Sequence, residues 1–207
     1  MSILIILCTL VICQEDQAEL QKQEDWYVIE PPGLGVSVEM PTIPQFTEKE
    51  LTGVADRERI IVRSRISLID DGQASLTFVY HTEPKRPRNR DQVEDILNGA
   101  VTGAMAMVNG ELIRQTEIFA GDHKGRDFLY RCEVSDARRQ TKHQMKIQSR
   151  VVLVGQRLFS MNYIALEDRY DEEIPSRFFT SFQLVESPRG LPPRPRRGRD
   201  RELAEEK

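Results

Sequence analysis

Apolar and polar residues alternate in paired runs through most of the middle of this chain, and the clearest pair lies between Met145 and Leu166. Gly155-Gln156 interrupts it, with glycine first, as a type II′ turn prefers. Closing a hairpin on those residues pairs Leu153 with Leu158 and Ile147 with Ile164 on one face, and Val152 with Phe159 and Gln148 with Tyr163 on the other. Both faces then carry apolar groups, which predicts cover on each side of the sheet.

The same periodicity predicts further strands. Glu111 to Ala120 and Arg126 to Val134 form a hairpin around the turn residues 121 to 125. Upstream, Ile60, Val62, Ile66 and Leu68 share one strand face, and Ala74, Leu76, Phe78 and Tyr80 share one face of the next. Matching those two faces calls for a three-residue loop, Asp71 to Gln73, with Leu68 opposite Leu76, Ile66 opposite Phe78 and Arg63 opposite His81. Trp26 to Ile29 and Val36 to Met40 read as short extended segments about Pro31-Pro32-Gly33, and Pro41 and Pro44 stop the second. Residues 45 to 57 carry no strong pattern and read as a loop with a helical turn from Glu48 to Leu51.

Helical periodicity appears where the alternation stops. Asp91 followed by Glu94 resembles a capping box, and Val93, Ile96, Leu97, Ala100, Val101, Ala104 and Val108 fall on one stripe ending at Asn109-Gly110. A shorter helix is predicted over Asp171 to Thr180, with Pro175 in its first turn and Ile174, Phe178 and Phe179 as its apolar edge. Phe182 and Leu184 then suggest a short closing strand. Strands in hairpins with two helices imply an α+β fold, an antiparallel sheet with helices on both faces.

The chain has 207 residues, 39% of them hydrophobic, and a formal net charge of -4, the values of an ordinary globular chain with a single core. A single domain is expected over residues 24–186. Nucleic acid is not favoured by the charge. Before the domain, Ile3 to Cys13 is uncharged and mostly apolar, shorter than a membrane span and in the range of a secretory signal. Cleavage after Cys13 would leave residues 14–23 as a polar, flexible start, in a periplasmic or extracellular protein. Lipid attachment at Cys13 is the alternative, although Ile12 is bulky for a lipoprotein box. Cys132, the cysteine left after cleavage, alternates with Phe128, Tyr130 and Val134 and reads as a buried, inert thiol. From Ser187 the composition turns to SPRGLPPRPRRGRDRELAEEK, a Pro- and Arg-rich tail without apolar periodicity. Its arginines, among them Arg194, Arg196, Arg197 and Arg199, are candidate contacts for an anionic surface.

Candidate chemistry is sparse. The three histidines fall at no metal-ligand spacing, and no nucleophile elbow, phosphate loop or dinucleotide fingerprint occurs. No metal or cofactor is expected. The acidic cluster Glu167, Asp168, Asp171, Glu172 and Glu173 lacks the alternating ligands and central glycine of a calcium loop and suits a helix start. The most function-like feature is the run Pro84-Lys85-Arg86-Pro87-Arg88-Asn89-Arg90. Its bland reading is a solvated connection; its functional reading is anion or acidic-partner capture by Lys85, Arg86, Arg88 and Arg90 on a stiffened loop. Arg63, Arg65 and His81 are expected to extend that cationic patch.

The order of several motifs resembles the Mog/PsbP-like superfamily, especially its exported bacterial members. They are Gly35-Val36-Ser37-Val38-Glu39-Met40-Pro41, Gly125-Arg126-Asp127-Phe128-Leu129-Tyr130, Val154-Gly155-Gln156-Arg157-Leu158-Phe159 and Phe178-Phe179-Thr180-Ser181-Phe182. The resemblance spans residues 35 to 184 and implies a three-layer α/β/α sandwich. It also implies an accessory or binding role: one group of members binds a small GTPase and another supports the oxygen-evolving complex. No functional residue of either group matches here, and fold alone does not carry function. The expectation is a non-catalytic exported module that binds a protein or envelope component. A small-molecule carrier or sensor is the alternative, and an enzyme around His81 the third reading.

Overall fold

An antiparallel sheet dominates the computed structural model, which describes residues 26–52, 59–83, 85–136 and 141–185. The leader at 1–13, the polar start at 14–23 and the tail at 187–207 lie outside the described residues, as does the 53–57 part of the expected loop. The elements in chain order are β1 (Tyr27–Ile29), β2 (Val36–Met40), β3 (Gln45–Thr52), β4 (Arg59–Ile69), β5 (Ala74–Thr82), α1 (Arg90–Val108), β6 (Glu111–Ala120), β7 (His123–Asp136), β8 (Thr141–Val154), β9 (Arg157–Leu166), α2 (Glu173–Thr180) and β10 (Gln183–Leu184). Seven strands form the main sheet in the order β3-β4-β5-β9-β8-β7-β6, and β1-β2-β10 form a small one.

The β8–β9 hairpin has the register that its alternation predicts, with Leu153 opposite Leu158, Val152 opposite Phe159, Gln148 opposite Tyr163 and Ile147 opposite Ile164. Gly155 takes φ +64° at the first turn position, which a side chain would strain. The β6–β7 turn is tighter than predicted: Ala120 pairs with His123, so only Gly121 and Asp122 lie between the strands.

Two strand expectations need correction. The segment expected as a loop from residue 45 is strand β3, paired with β4 from Gln45 opposite Ile66 to Thr52 opposite Arg59. As an edge strand it faces solvent widely, so its sequence, Gln-Phe-Thr-Glu-Lys-Glu, needs no apolar row. The β4–β5 register is also one residue away from the predicted one. Ile69 pairs with Ala74, Ser67 with Leu76 and Arg65 with Phe78, and a four-residue turn holds Asp70, Asp71 and Gly72 at positive φ. One residue of slip exchanges strand faces. It is tolerated because β5 is buried on both: Leu76 and Phe78 face one side, Thr77 and Val79 the other, and all four are buried.

The sheet's two faces carry separate cores. On one, α1 lays Leu97, Ala100, Val101 and Ala104 against Phe128, Tyr130, Cys132, Ile147, Val151, Leu153 and Leu158. On the other, Phe78, Tyr80, Phe159, Met161 and Tyr163 meet Val36, Val38 and Met40 of β2, Phe178 and Phe179 of α2, and Phe182. This second layer is mostly strand, and its helix is only eight residues long. The helical layer expected on that face is therefore reduced to α2.

Adjacent residues of β7 tie down both layers. Arg126 points to the α1 side, where its guanidinium binds Glu94 of α1 and, at 3.1 Å, Glu117 of β6. Asp127 points the other way and accepts from Arg150 at 3.0 Å, while another Arg150 nitrogen donates to the Phe179 carbonyl in the last turn of α2 at 3.0 Å. A cation on those carbonyls completes hydrogen bonds that the helix itself leaves open. Next to this pair, Gly125 can only be glycine, since a Cβ there would stand 2.4 Å from the Val151 carbonyl oxygen.

Candidate functional site

Between β5 and α1 the chain must leave the sheet and start a helix, and its connection is fastened at both ends. Glu83 donates its N–H to the Gln156 carbonyl at 2.7 Å and accepts from the Gln156 side-chain amide, which anchors the start of the loop to the β8–β9 turn. At the other end the Asn89 side chain accepts from the Gln92 N–H at 2.9 Å, and the Gln92 side chain accepts from the Arg88 N–H at 2.7 Å. These two bonds start the helix at Arg90, with Asn89 rather than Asp91 as the capping residue. Glu94, expected to complete the cap, instead binds Lys124 at 2.6 Å.

The fastened loop and the first turns of α1 enclose an open cleft of 1190 Å³ lined by Glu83, Lys85, Arg86, Pro87, Arg88, Gln92, Asp95 and Ile96. Lys85, Arg86 and Arg88 are exposed, as is the neighbouring Arg90. Glu83 and Asp95 supply carboxylates among these cations, while Pro87 and Ile96 supply apolar surface. The cleft can therefore make charge-assisted contacts to an anionic group.

His81 lies at the edge of this region. It is buried, pairs across the sheet with Leu158, and its Nε2 stands 3.0 Å from the Glu83 carboxylate. The expected union of His81 with Arg63 and Arg65 does not form. The β4–β5 register puts Arg63 opposite Tyr80 and Arg65 opposite Phe78, on the face away from His81. Arg63 binds Glu48 at 2.7 Å, and Arg65 stacks over Phe46 at 4.5 Å with its Nε buried and unpartnered. Of the sequence candidates, Lys85, Arg86 and Arg88 line the cleft together, Arg90 opens α1 outside its lining, and His81 meets the lining through Glu83. Arg194, Arg196, Arg197 and Arg199 lie outside the described residues.

Glu83, Gln92 and Asp95 line the cleft without being singled out by the sequence, and Ile96 stands out there only as part of the helix stripe. Gln92 had a usable signal, because it follows Asn89 at capping-box spacing. Glu83 had none, as its anchor lies across the sheet at Gln156.

Other reactive groups are occupied or buried. Burial pushes the Cys132 thiol up, so it stays protonated, as expected of an inert core cysteine. Burial likewise raises Tyr130 to about 12, partly offset by the adjacent Ser149 hydroxyl. In the acidic segment, Asp171 accepts the Glu173 N–H at 2.8 Å and so begins α2. Among the described residues no three His, Cys, Asp or Glu side chains converge as metal ligands, and no helix is long and apolar enough to cross a membrane.

No protein-family model matches the chain, and no curated protein matches it in sequence. Among solved structures, the solution structure of cyanobacterial PsbP (CyanoP) from Synechocystis sp. PCC 6803 superposes with a TM-score of 0.50 at 14% identity, covering 82% of this chain and 98% of that one. The crystal structure of LpqN, involved in cell envelope biogenesis of Mycobacterium tuberculosis, gives a TM-score of 0.40 at 9% identity over 78% of this chain and 91% of that one. The likeness to CyanoP shows that the fold is PsbP-like, in line with the resemblance of the motifs. At this identity it assigns no residue and no partner.

Proposed function

We propose that this protein is an exported, non-catalytic binding module that engages a protein or envelope component through the cleft at the start of α1. The observation that carries the reading is the fastening of this loop at Glu83 and at Arg88, which fixes the backbone ends between which Arg86 and Arg88 line the cleft. Export is supported by the apolar start at Ile3 to Cys13, which has the length and character of a secretory signal. The tail arginines act as an auxiliary electrostatic contact.

Cross-linked capture from the native envelope fraction tests the reading, comparing the wild-type chain with the double variant Arg86→Glu/Arg88→Glu. One saturable partner, lost from the double variant, is expected. Undiminished capture by the variant would remove the cleft from the account.

A further inference from the structure

The main sheet ends on two edge strands, β3 and β6, and they are defended unequally. β3 carries three successive charges, Glu48, Lys49 and Glu50, and lysine on an edge discourages further pairing. β6 is longer, contains neither Lys nor Pro, and is exposed from Glu111 through Glu117. Among the described residues it pairs with β7 alone. Its two acids are drawn inward along the sheet: Glu111 binds Arg131, and Glu117 binds Lys124 and Arg126, all on β7. Solvent meets large apolar groups there instead, with Leu112 42%, Ile113 49% and Phe119 60% exposed.

The bulge in β6 makes this edge complementary to itself. A two-fold axis through a sheet keeps each residue on its own face, so two copies of a regular strand can pair only positions that differ by an even number. Leu112 and Phe119 differ by an odd one, but the register shifts between Leu112 and Arg114. Leu112 therefore pairs with Tyr130 and Phe119 with Lys124, two residues on one face of β7. With Thr116 on the axis, Gln115 meets the partner's Glu117, Arg114 meets the partner's Ile118, and the bulged Leu112 and Ile113 meet the partner's Phe119. The neighbouring registers fail. Centring on Glu117 opposes two like charges, and centring on Gln115 sets the bulged apolar residues against Glu117.

We infer that the protein forms a symmetric dimer through β6, joining two seven-stranded sheets into one. Thr116 lies against its own copy at the centre, and Leu112, Ile113 and the partner's Phe119 cluster at either end. Both strands are ordered before they meet, so association costs little beyond rigid-body freedom. The α1 core is built on β7, β8 and β9 and leaves the edge open. No residue of β6 lines the cleft, so the dimer carries one cleft on each subunit.

The test is sedimentation equilibrium of the full chain carrying Cys8→Ser and Cys13→Ser, over a concentration series. A mass rising towards twice the monomer's is expected. Ile113→Glu/Phe119→Glu, at exposed positions, should weaken association at least ~10-fold, whereas Ile43→Glu, exposed but away from β6, should leave it unchanged. Monomer at every concentration overturns the inference, as does a dimer that the double variant leaves intact. The register is read separately through Thr116→Cys, whose thiol faces its own copy. Antiparallel pairs hold their Cα atoms about 4.5–5.5 Å apart, within the reach of a disulfide. Thr116→Cys should therefore oxidise to a covalent dimer at least ~10-fold faster than Lys49→Cys on β3. Equal rates overturn the two-fold pairing. A monomer whose position 116 cross-links to a different protein assigns the edge to that protein and overturns self-association.

Discussion

The two faces of the sheet hold their layers by different means, and the boundary between them passes between Arg126 and Asp127. On the α1 face a single long helix supplies the cover from contiguous sequence, and a cluster of Glu94, Glu117, Lys124 and Arg126 fixes it. On the other face the cover comes from both ends of the domain. β1 and β2 arrive before the main sheet and α2 and β10 after it, and they meet where β10 pairs with β2. The first layer can form by local helix propagation along an amphipathic stripe. The second needs long-range closure, which costs chain entropy before any contact repays it. The candidate cleft belongs to the locally built side, at the N-terminal end of α1, so its geometry depends little on the far layer.

The largest expected effect separates the two cores. Phe159 is fully buried and its ring lies within 6.4 Å of those of Phe78, Tyr80 and Phe182. Phe159→Ala is expected to cost about 3–5 kcal/mol by denaturant titration, with hydrogen exchange rising first in β1, β2 and β10. A first rise in α1 would show that the cores are not energetically separate.

A smaller effect distinguishes the two neighbouring anchors. Asp127→Ala leaves Arg150 partly buried without its carboxylate and is expected to cost about 2 kcal/mol, less than a fully buried pair because Arg150 keeps some solvent contact. Its exchange signature should lie in α2. Asn89→Ala removes the α1 cap for about 1 kcal/mol, read as fraying of the first helical turn.

The smallest effect depends on pH. The hydrogen bond from Lys124, assisted by Arg126, holds Glu94 below its ordinary value despite opposing desolvation. A carboxylate lowered on folding stabilises above its unfolded pKa of about 4.3 and loses that contribution as pH falls through the lowered folded value. Acidification below about pH 4 should therefore loosen α1, and Glu94→Gln should flatten that dependence. An unchanged acid profile in the variant would show that the ion cluster does not hold the helix.

Legibility in the sequence follows the same division. The β8–β9 register and the α1 stripe were readable because each is set by neighbours in the chain: a two-residue turn in one case, a helical repeat in the other. The identity of β3 was not, since an edge strand is defined by its pairing with β4 and not by an apolar row. The β4–β5 register failed because β5 is buried on both faces, which removes the penalty that normally forbids a one-residue slip. The same slip separated Arg63 and Arg65 from His81. The loop from Lys85 to Arg90 stood out by composition, but its anchor at Gln156 is a tertiary contact and left no local trace.

The most direct test of the central claim is site-specific photocross-linking of the full chain in its native envelope fraction, with the probe at position 87 in the cleft or at position 169 outside its lining. A single saturable adduct from position 87, with none from position 169, is the predicted result. Equal adducts from both positions, or an adduct from 169 alone, would contradict a binding role for the cleft.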